Sequence, residues 1–278
     1  MMIALAGGIY LNIREPDKEN QSYPSCRIQK GLLLFQGNKD LSEEGIGFGV
    51  PILKFGEKTI FPGRGDIELR DFADHTEVLI DYDLNLSEMI AVKGRKIENR
   101  TLYGIKESLS RLHRKYPFSR KILTAGSNAL RRSLDIETGF EEGASAGLAR
   151  FKYTINVDGM IHVMIDLSRI QREISREICT EIMIMNEQGA NFFDTYCDSK
   201  GTILHGEAIG SWQETSSDEV SFRYPEDGLS FTLFKSSGSK LFYGRELVKN
   251  RLSWAGIAYS ISPNIQDFAY DIRLGMKK

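Results

Sequence analysis

The stretch that decides the fold is Ser42-Glu43-Glu44-Gly45-Ile46-Gly47-Phe48-Gly49-Val50-Pro51, which continues through Ile52-Leu53-Lys54-Phe55, a Gly56-Glu57-Lys58 turn and Thr59-Ile60-Phe61-Pro62-Gly63. Two apolar segments separated by a short turn that contains glycine predict a β-hairpin. The three alternating glycines favour a kinked or bulged first strand, because a missing side chain lets the strand bend or another backbone approach. The paired carboxylates would then lie beside bare backbone, where a flat ligand has room.

The same glycines raise the alternative of a nucleotide-binding loop. Such a loop has the spacing G-x-G-x-x-G and opens a helix, whose N-terminus faces the pyrophosphate. Here the spacing is G-x-G-x-G, and Val50-Pro51-Ile52-Leu53 follows. Proline and β-branched residues at this point favour a strand. The sequence therefore favours the strand over the phosphate loop.

Alternating apolar and polar residues predict further strands on both sides of this hairpin. A hairpin with an Asp158-Gly159 turn is the clearest of them, because this dipeptide suits a tight two-residue turn. The predicted strands span residues 2–13, 27–36, 66–70, 76–84, 89–92, 151–157, 160–167, 181–185, 202–209, 219–223, 229–235, 240–243, 256–262 and 267–274. Residues 168–179 fit either a helix or a strand, and we favour a strand.

One segment has helical periodicity. Apolar residues recur every three or four positions from Thr101 to Tyr116, and Pro117 ends the pattern. A second, shorter helix is predicted from Ser127. These helices carry a basic cluster, which we interpret as a solvated helix face, with an anion-attracting rim as the alternative. Its members are Lys106, Arg111, Arg114, Lys115, Arg120, Lys121, Arg131 and Arg132.

The number of strands predicts the fold class. It is mainly β, a large antiparallel two-sheet sandwich, because a flat open sheet of so many strands is rare. We predict a single domain of residues 1–278 with a helical insertion at about 101–135. This pattern of short strands and turns resembles the supersandwich architecture of galactose mutarotase-like proteins, which sugar epimerases share with domains of polysaccharide lyases and glycosidases. The resemblance is architectural and implies the fold, and it carries no functional residue to this chain.

Composition narrows the classes of function. The formal net charge of −2 gives no general attraction to nucleic acid or anionic membranes. No apolar run approaches the roughly 20 residues of a membrane-spanning helix, and the first residues lack a basic leader. Three widely spaced cysteines make no disulfide framework. We therefore expect a reduced, cytoplasmic protein that binds no membrane and no nucleic acid; the sequence leaves its oligomeric state open.

Metal and cofactor sites are not predicted. The four histidines, His75, His113, His162 and His205, are far apart, and no H-x-H, H-E-x-x-H or C-x-x-C motif occurs. Acidic, basic and aromatic residues near turns are the remaining candidates for chemistry. We predict that Glu44, Glu187 and Glu246 transfer protons, and that the following residues bind the substrate: Arg64, Asp66, Asn186, Arg245, Arg251, Trp212 and Trp254.

These residue types point to a sugar site. Such a site needs an aromatic platform for the ring face, polar groups for the hydroxyls and one or two carboxylates for proton transfer. The first hypothesis is therefore a protein that acts on a carbohydrate or uronate by acid/base chemistry in a sandwich cleft, as an epimerase, lyase or hydrolase. The alternative is a non-catalytic ligand-binding or protein-interaction sandwich.

Overall fold

A computed structural model describes residues 1–19, 24–92, 95–97, 136–248 and 252–275. Strands predominate in these ranges, and their helical segments are short 3₁₀ turns at Ala6–Gly8, Pro24–Arg27 and Gly206–Ala208. The predicted helices at 101–116 and from Ser127, with their basic cluster, lie outside the described residues. In the part of the chain that is described, no helix has the length and apolarity needed to cross a membrane.

A small antiparallel sheet is formed by the N-terminal residues. Its strands are β1 (Met2–Ala4), β2 (Ile9–Asn12), β3 (Leu33–Gln36) and β4 (Lys39–Asp40), paired in that order. Ile3, Ile9, Leu11 and Leu34 are buried because they point from this sheet into the main core. A bridge between Leu32 and Phe48 connects the small sheet to the glycine-rich strand.

The remaining strands form one long antiparallel ladder. They are β5 (Gly47–Phe55), β6 (Lys58–Asp71), β7 (His75–Val92), β8 (Arg95–Ile97), β9 (Ile136–Glu142), β10 (Leu148–Asn156), β11 (Met160–Asp166), β12 (Glu173–Ile174), β13 (Glu177–Gln188), β14 (Thr195–Asp198), β15 (Ile203–His205), β16 (Gln213–Thr215), β17 (Glu219–Tyr224), β18 (Leu229–Phe234), β19 (Ser239–Val248), β20 (Leu252–Ile261) and β21 (Asp267–Gly275).

The ladder is folded over into two layers. The front layer runs β16-β19-β20-β13-β5 and takes in the first residues of β6. The back layer runs from the first half of β7 through β10-β11-β21-β18-β17-β14-β15. The predicted fold class, a mainly β protein built as a large antiparallel two-sheet sandwich, is confirmed.

A long bent hairpin, β6–β7, connects the two layers. Its first residues pair with β5 in the front layer, and the part near its turn pairs through β7 with β10 in the back layer. Register shifts interrupt the β6–β7 pairing on both sides of Pro62. Proline lacks the N–H that a regular ladder needs, so an irregularity here lets the strand change layers.

The core between the layers is rich in aromatic rings and in buried hydroxyl groups. Phe48 of the front layer packs edge-on against Phe231 of the back layer, with ring centroids 5.3 Å apart. The hydroxyl of Tyr153 donates to the carbonyl of Gly49 at 2.8 Å, and that of Tyr270 donates to Oδ1 of Asn186 at 2.9 Å. These contacts fix how the layers sit on each other.

The bulge predicted from the alternating glycines is present at Gly49. Met185 of β13 pairs with Val50, and the next residue, Asn186, pairs with Phe48, so Gly49 is the extra residue. Gly49 has φ of +79°, a conformation that glycine adopts without strain. As a result Phe48 packs in the core between the layers, while Val50 packs on the opposite side of the front layer.

Replacing Tyr153 with phenylalanine is expected to lower the free energy of unfolding by about 1–2 kcal/mol, because the buried Gly49 carbonyl loses its hydroxyl donor. Urea unfolding measures the change. Tyr10→Phe, which alters a half-buried tyrosine of the small sheet, is the control and should stay within about 0.5 kcal/mol of wild type. Equal losses in the two variants would contradict this role for the Tyr153 hydroxyl.

The segment that fits either a helix or a strand, residues 168–179, contains a loop followed by the tight β12–β13 hairpin. Ser175 and Arg176 form the turn with φ of 50° and 72°. The favoured strand is confirmed for residues 173–174 and from Glu177 onward.

Candidate functional site

The front layer has an inner surface, which packs against the back layer, and an outer surface, which we call the front face. The candidate site lies on the front face. Successive side chains of a strand point to opposite sides. In β13, Ile182, Ile184 and Asn186 therefore point into the sandwich, and Met183, Met185 and Glu187 point to the front face.

An apolar cluster covers much of the front face and is separate from the core of the sandwich. Its buried members are Ile28, Ile46, Val50, Ile52, Leu86, Phe140, Met185 and Ala258. Phe61, Met183, Trp212 and Phe242 pack against them and are partly exposed. An apolar outer sheet face of this kind differs from the usual solvated face of a sandwich.

Two glycines next to each other interrupt this apolar surface. Gly256 of β20 pairs with Glu187 on one side and with Gly244 of β19 on the other. A methyl group placed on Gly256 would lie 2.8 Å from Cγ of Glu187, and one on Gly244 would lie 3.1 Å from Cη2 of Trp254. Glu187 and Trp254 therefore lean over the glycine pair from two sides.

The two tryptophans of the chain meet at this point. Trp212 and Trp254 stack with ring centroids 4.5 Å apart and planes 14° apart. Trp254 is almost buried and pairs in register with Glu246, whereas Trp212 and Glu246 are partly exposed. The site thus has a buried floor and a partly exposed aromatic and acidic rim.

Glu187 has an unusual electrostatic environment. Its side chain is 7% exposed, and burial raises its pKa from the ordinary 4.5 to about 7. A hydrogen bond from the Ile46 N–H and the positive charge of Lys30 act in the opposite direction, while the negative charge of Glu246 raises the pKa further. Burial thus brings the pKa of Glu187 close to neutral pH.

The charge of Lys30 acts on Glu187 and also on a second carboxyl group, that of Glu44. Burial raises the pKa of Glu44, although a hydrogen bond from the Ser25 hydroxyl at 3.2 Å and the charge of Lys30 lower it. Burial lowers the pKa of Lys30, and the charges of Cys26 and Glu44 oppose this.

The predicted strand 181–185 ends before Asn186 and Glu187, which would place them in a following turn, but this boundary is wrong. β13 continues to Gln188 because the polar side chains of its last residues find partners inside the protein. Oδ1 of Asn186 accepts hydrogen bonds from the Tyr270 hydroxyl and from the Gly49 N–H. Oε1 of Gln188 accepts from the Ser42 hydroxyl at 2.7 Å. Asn186 therefore lies inside the sandwich, behind the front face.

Arg245 occupies the other side of β19. Its guanidinium donates to the Ala190 carbonyl at 2.8 Å and 3.2 Å, which holds the turn after β13. Glu43 supports the same turn by accepting from Nδ2 of Asn191 at 2.6 Å and from the hydroxyl of Ser253. These groups position the end of β13 from behind.

Arg64 and Asp66 lie on the back-layer part of β6. Arg64 forms an exposed ion pair with Asp83 at 3.2 Å. Asp66 lines two shallow hollows of about 230 and 390 Å³. Charged groups at the first hollow form surface ion pairs such as Arg150–Asp81 at 2.6 Å. These groups are partly exposed to solvent, whereas the Glu187 carboxyl of the front face is buried. Arg251 lies outside the described residues.

Lys30 is a residue of the site that the sequence did not single out. It lies in a predicted strand of alternating residues, where a lysine is normally solvated. The sequence feature that could have drawn attention to Lys30 is the glycine that follows it. In the structure the backbone of Phe48 lies so close to Gly31 that a side chain there would overlap it.

A hydrolase-like sequence, Gly143-Ala144-Ser145-Ala146-Gly147, matches the G-x-S-x-G pattern but not its structural setting. It connects β9 to β10, instead of joining a strand to a helix, and the exposed Ser145 hydroxyl donates to Asp83 at 2.5 Å. Within the described ranges, no group of three or more histidine, cysteine or acidic side chains is arranged to hold a metal ion.

Comparison with known proteins supports the fold. No protein-family model and no curated protein matches the sequence. The α-N-acetylgalactosaminidase NagBb from Bifidobacterium bifidum, in its GalNAc complex, is similar in structure with a TM-score of 0.50 at 9% identity. The match covers 99% of this chain and 36% of NagBb, so the chain spans about a third of that enzyme. A galactose mutarotase-like protein from Lactobacillus casei ATCC 334 matches over the full length of both chains, with a TM-score of 0.40 and 9% identity. The similarity to NagBb, at 9% identity, is one of fold alone.

Proposed function

We propose that the front face binds a carbohydrate and that Glu187 transfers a proton to or from it. The observation that carries this proposal is a buried carboxyl with a pKa of about 7 on the same face as a stacked tryptophan pair. Enzymes raise the pKa of a glutamic acid in this way so that it can act as acid or base near neutral pH.

Other residues of the face have distinct roles in this proposal. Trp212 is partly exposed and offers its ring to the apolar face of a sugar. Gly244 and Gly256 have no side chains, so Trp212, Trp254 and Glu187 can pack closely over the bare backbone and lie on one continuous surface. Glu246 and Glu44 are the candidates for a second carboxyl group, which sugar chemistry often requires. The structural similarity to NagBb, a glycosidase solved with GalNAc, makes N-acetylated amino sugars sensible members of a first test panel.

The alternative is a module that binds a saccharide on the front face and does not convert it chemically. The low exposure of Glu187 and Trp254, at 7% and 6%, favours this alternative, because a proton-transfer group has to be reached by the reacting atoms of the substrate. The two functions differ in whether a bound sugar is chemically changed and in whether that change needs Glu187.

A thermal-shift panel of neutral sugars, N-acetylated amino sugars, uronates and nucleotides is expected to give a selective rise in Tm with a saccharide. A ligand at about 100 times its Kd adds about 2.7 kcal/mol of stability. Trp212→Ala should lose this shift, because it removes the partly exposed indole of the stacked tryptophan pair.

The matched control is Phe72→Ala, which removes an aromatic side chain that is 50% exposed at the β6–β7 turn, and it should keep the shift. A saccharide shift that survives in Trp212→Ala, or a panel in which no saccharide raises the Tm, would remove the front face as a sugar site.

A further inference from the structure

We propose that two copies of this chain pair side by side through the outer edge of β6, as antiparallel strands related by two-fold symmetry. The paired segment runs from Gly65 to Asp71. It belongs to the back layer, so this interface is separate from the proposed sugar site on the front face. An open strand edge and the order of charges along it point to a second copy of the chain as the partner.

The back-layer part of β6 is an edge strand. β6 pairs with β5 only from Lys58 to Ile60, whereas its pairing with β7 extends to Asp71. Among the strands that the structure describes, none pairs with the other side of residues 65–71. Every second residue of such a strand turns its backbone N–H and C=O outward, where a further strand can bind them. Residues 65–71 also contain no proline and no register shift, which are features that protect many edges.

Space for another strand lies beside this edge. The two shallow hollows both include Asp66 and Ile67. The larger one, of about 390 Å³, is lined by this edge and by N-terminal residues that include Ile13 and Glu15. The smaller one, of about 230 Å³, continues along the strand to Arg70. The edge is therefore open to an incoming strand.

Side chains of the edge suit one antiparallel register with a second copy. Ile67 and Leu69 pack against the core, whereas Asp66, Glu68 and Arg70 are exposed. If Glu68 lies opposite the partner's Glu68, Asp66 meets the partner's Arg70 on the exposed side. On the inner side, Ile67 then meets the partner's Leu69. Two-fold symmetry makes each of these contacts twice, as a closed interface between identical chains requires.

Other registers are less favourable. A register centred on Ile67 places Asp66 opposite the partner's Glu68, and like charges directly opposite each other are destabilising. A register centred on Asp66 places Pro62, which has no N–H, opposite the partner's Arg70. Shifts by an odd number of residues place apolar side chains among charged ones. In the favoured register Glu68 does lie opposite its own copy, but each Glu68 is already paired with Arg70 of its own strand at 2.7 Å.

Sedimentation velocity over a range of protein concentrations is expected to show a reversible dimer for the wild-type chain. Arg70→Asp should raise the dimer dissociation constant by at least about tenfold, because two attractive pairs become repulsive. The double variant Asp66→Arg/Arg70→Asp should restore the dimer, since it recreates the same pairs with reversed charges. Both side chains are exposed, so the variants should fold, and circular dichroism checks that they do.

A cysteine at the symmetry axis tests the register. Opposite Cα atoms of antiparallel strands lie about 4.5–5.5 Å apart, which is within reach of a disulfide. Glu68→Cys should therefore form a covalent dimer when it is treated with oxidised glutathione. Asp66→Cys is the matched control on the same strand, because its copy in the partner lies four residues away, at about 13 Å. Wild type, with the partly exposed Cys26 and two buried cysteines, gives the background.

The proposed interface is overturned if wild type stays monomeric at every concentration, or if Arg70→Asp dimerises as well as wild type. It is also overturned if the charge swap leaves the chain monomeric, or if Glu68→Cys forms no more covalent dimer than Asp66→Cys does. The saccharide thermal shift of Arg70→Asp keeps this result apart from the proposed function. Because the edge lies away from the front face, this variant should retain any shift that wild type shows.

Discussion

Replacing Glu187 with glutamine is expected to lower kcat/KM toward the bound saccharide by about 10²- to 10⁴-fold, the usual contribution of a general acid or base. At the same time the variant should be more stable than wild type at alkaline pH. Opposite effects on activity and stability distinguish a proton-transfer group from a structural one, because losing a structural group lowers both. Glutamine keeps an oxygen that can accept the Ile46 N–H.

The stability effect follows from the raised pKa. The folded protein holds the proton of Glu187 up to about pH 7, whereas the unfolded chain releases it near the ordinary value of 4.5. Stability from this group is therefore fully present below pH 4.5 and is lost as the pH rises through 7. At 1.36 kcal/mol for each pKa unit, the loss is about 3 kcal/mol. Glu187→Gln should match wild type near pH 4.5 and exceed its free energy of unfolding by about this amount at pH 9.

Urea unfolding of both proteins from pH 5 to pH 9 gives the difference, and assays on a sugar found by thermal shift give kcat/KM. Glu181→Gln is a control from the same strand with the opposite sign. Burial raises the pKa of Glu181, but hydrogen bonds from Lys54 and Ser260 outweigh this and leave it lowered. Glu181→Gln should therefore lose stability at neutral pH and keep activity. An unchanged kcat/KM in Glu187→Gln would end its catalytic role.

Much of the fold could be predicted because its strands have local signatures. Alternation from Phe151 to Ile155 and the Asp158-Gly159 turn identify the β10–β11 hairpin, which the structure contains. The bulge in β5 could also be predicted, since alternating glycines before a β-branched segment have few other uses. These features depend on neighbours in sequence, and a single sequence records such neighbours well.

The arrangement of the site could not be predicted because it depends on partners far away in sequence. The polar run Asn186-Glu187-Gln188 has the composition of a turn, and nothing local shows that Tyr270 and Ser42 satisfy it within a strand. The same holds for Lys30, whose effect on Glu187 requires two segments more than 150 residues apart to meet. The sequence could propose Glu187 and the tryptophans as candidates. The register of β13, β20 and β19 places Glu187 and Trp254 on one face, and Trp212 joins them by stacking on Trp254.

Gly49 offers the sharpest test of how the glycine-rich strand organises the sandwich. A Cβ atom on Gly49 would lie 2.3 Å from the hydroxyl of Tyr153, which bridges the two layers. The residue also has φ of +79°, which an alanine adopts only with strain. Gly49→Ala therefore combines backbone strain with overpacking of the buried core, and we expect it to lower the free energy of unfolding by about 3 kcal/mol or more.

Gly56→Ala separates these two effects. Gly56 lies in the β5–β6 turn with φ of +56°, and no atom would lie within 4 Å of an added Cβ. This variant should show the strain alone, about 1–2 kcal/mol. The double variant Gly49→Ala/Tyr153→Phe should lose less than the sum of its single variants, because removing the hydroxyl relieves the closest overlap. If urea unfolding gives the same loss for Gly49→Ala and Gly56→Ala, the bulge does not hold the two layers in close contact, and the glycine-rich strand bends for reasons of backbone conformation alone.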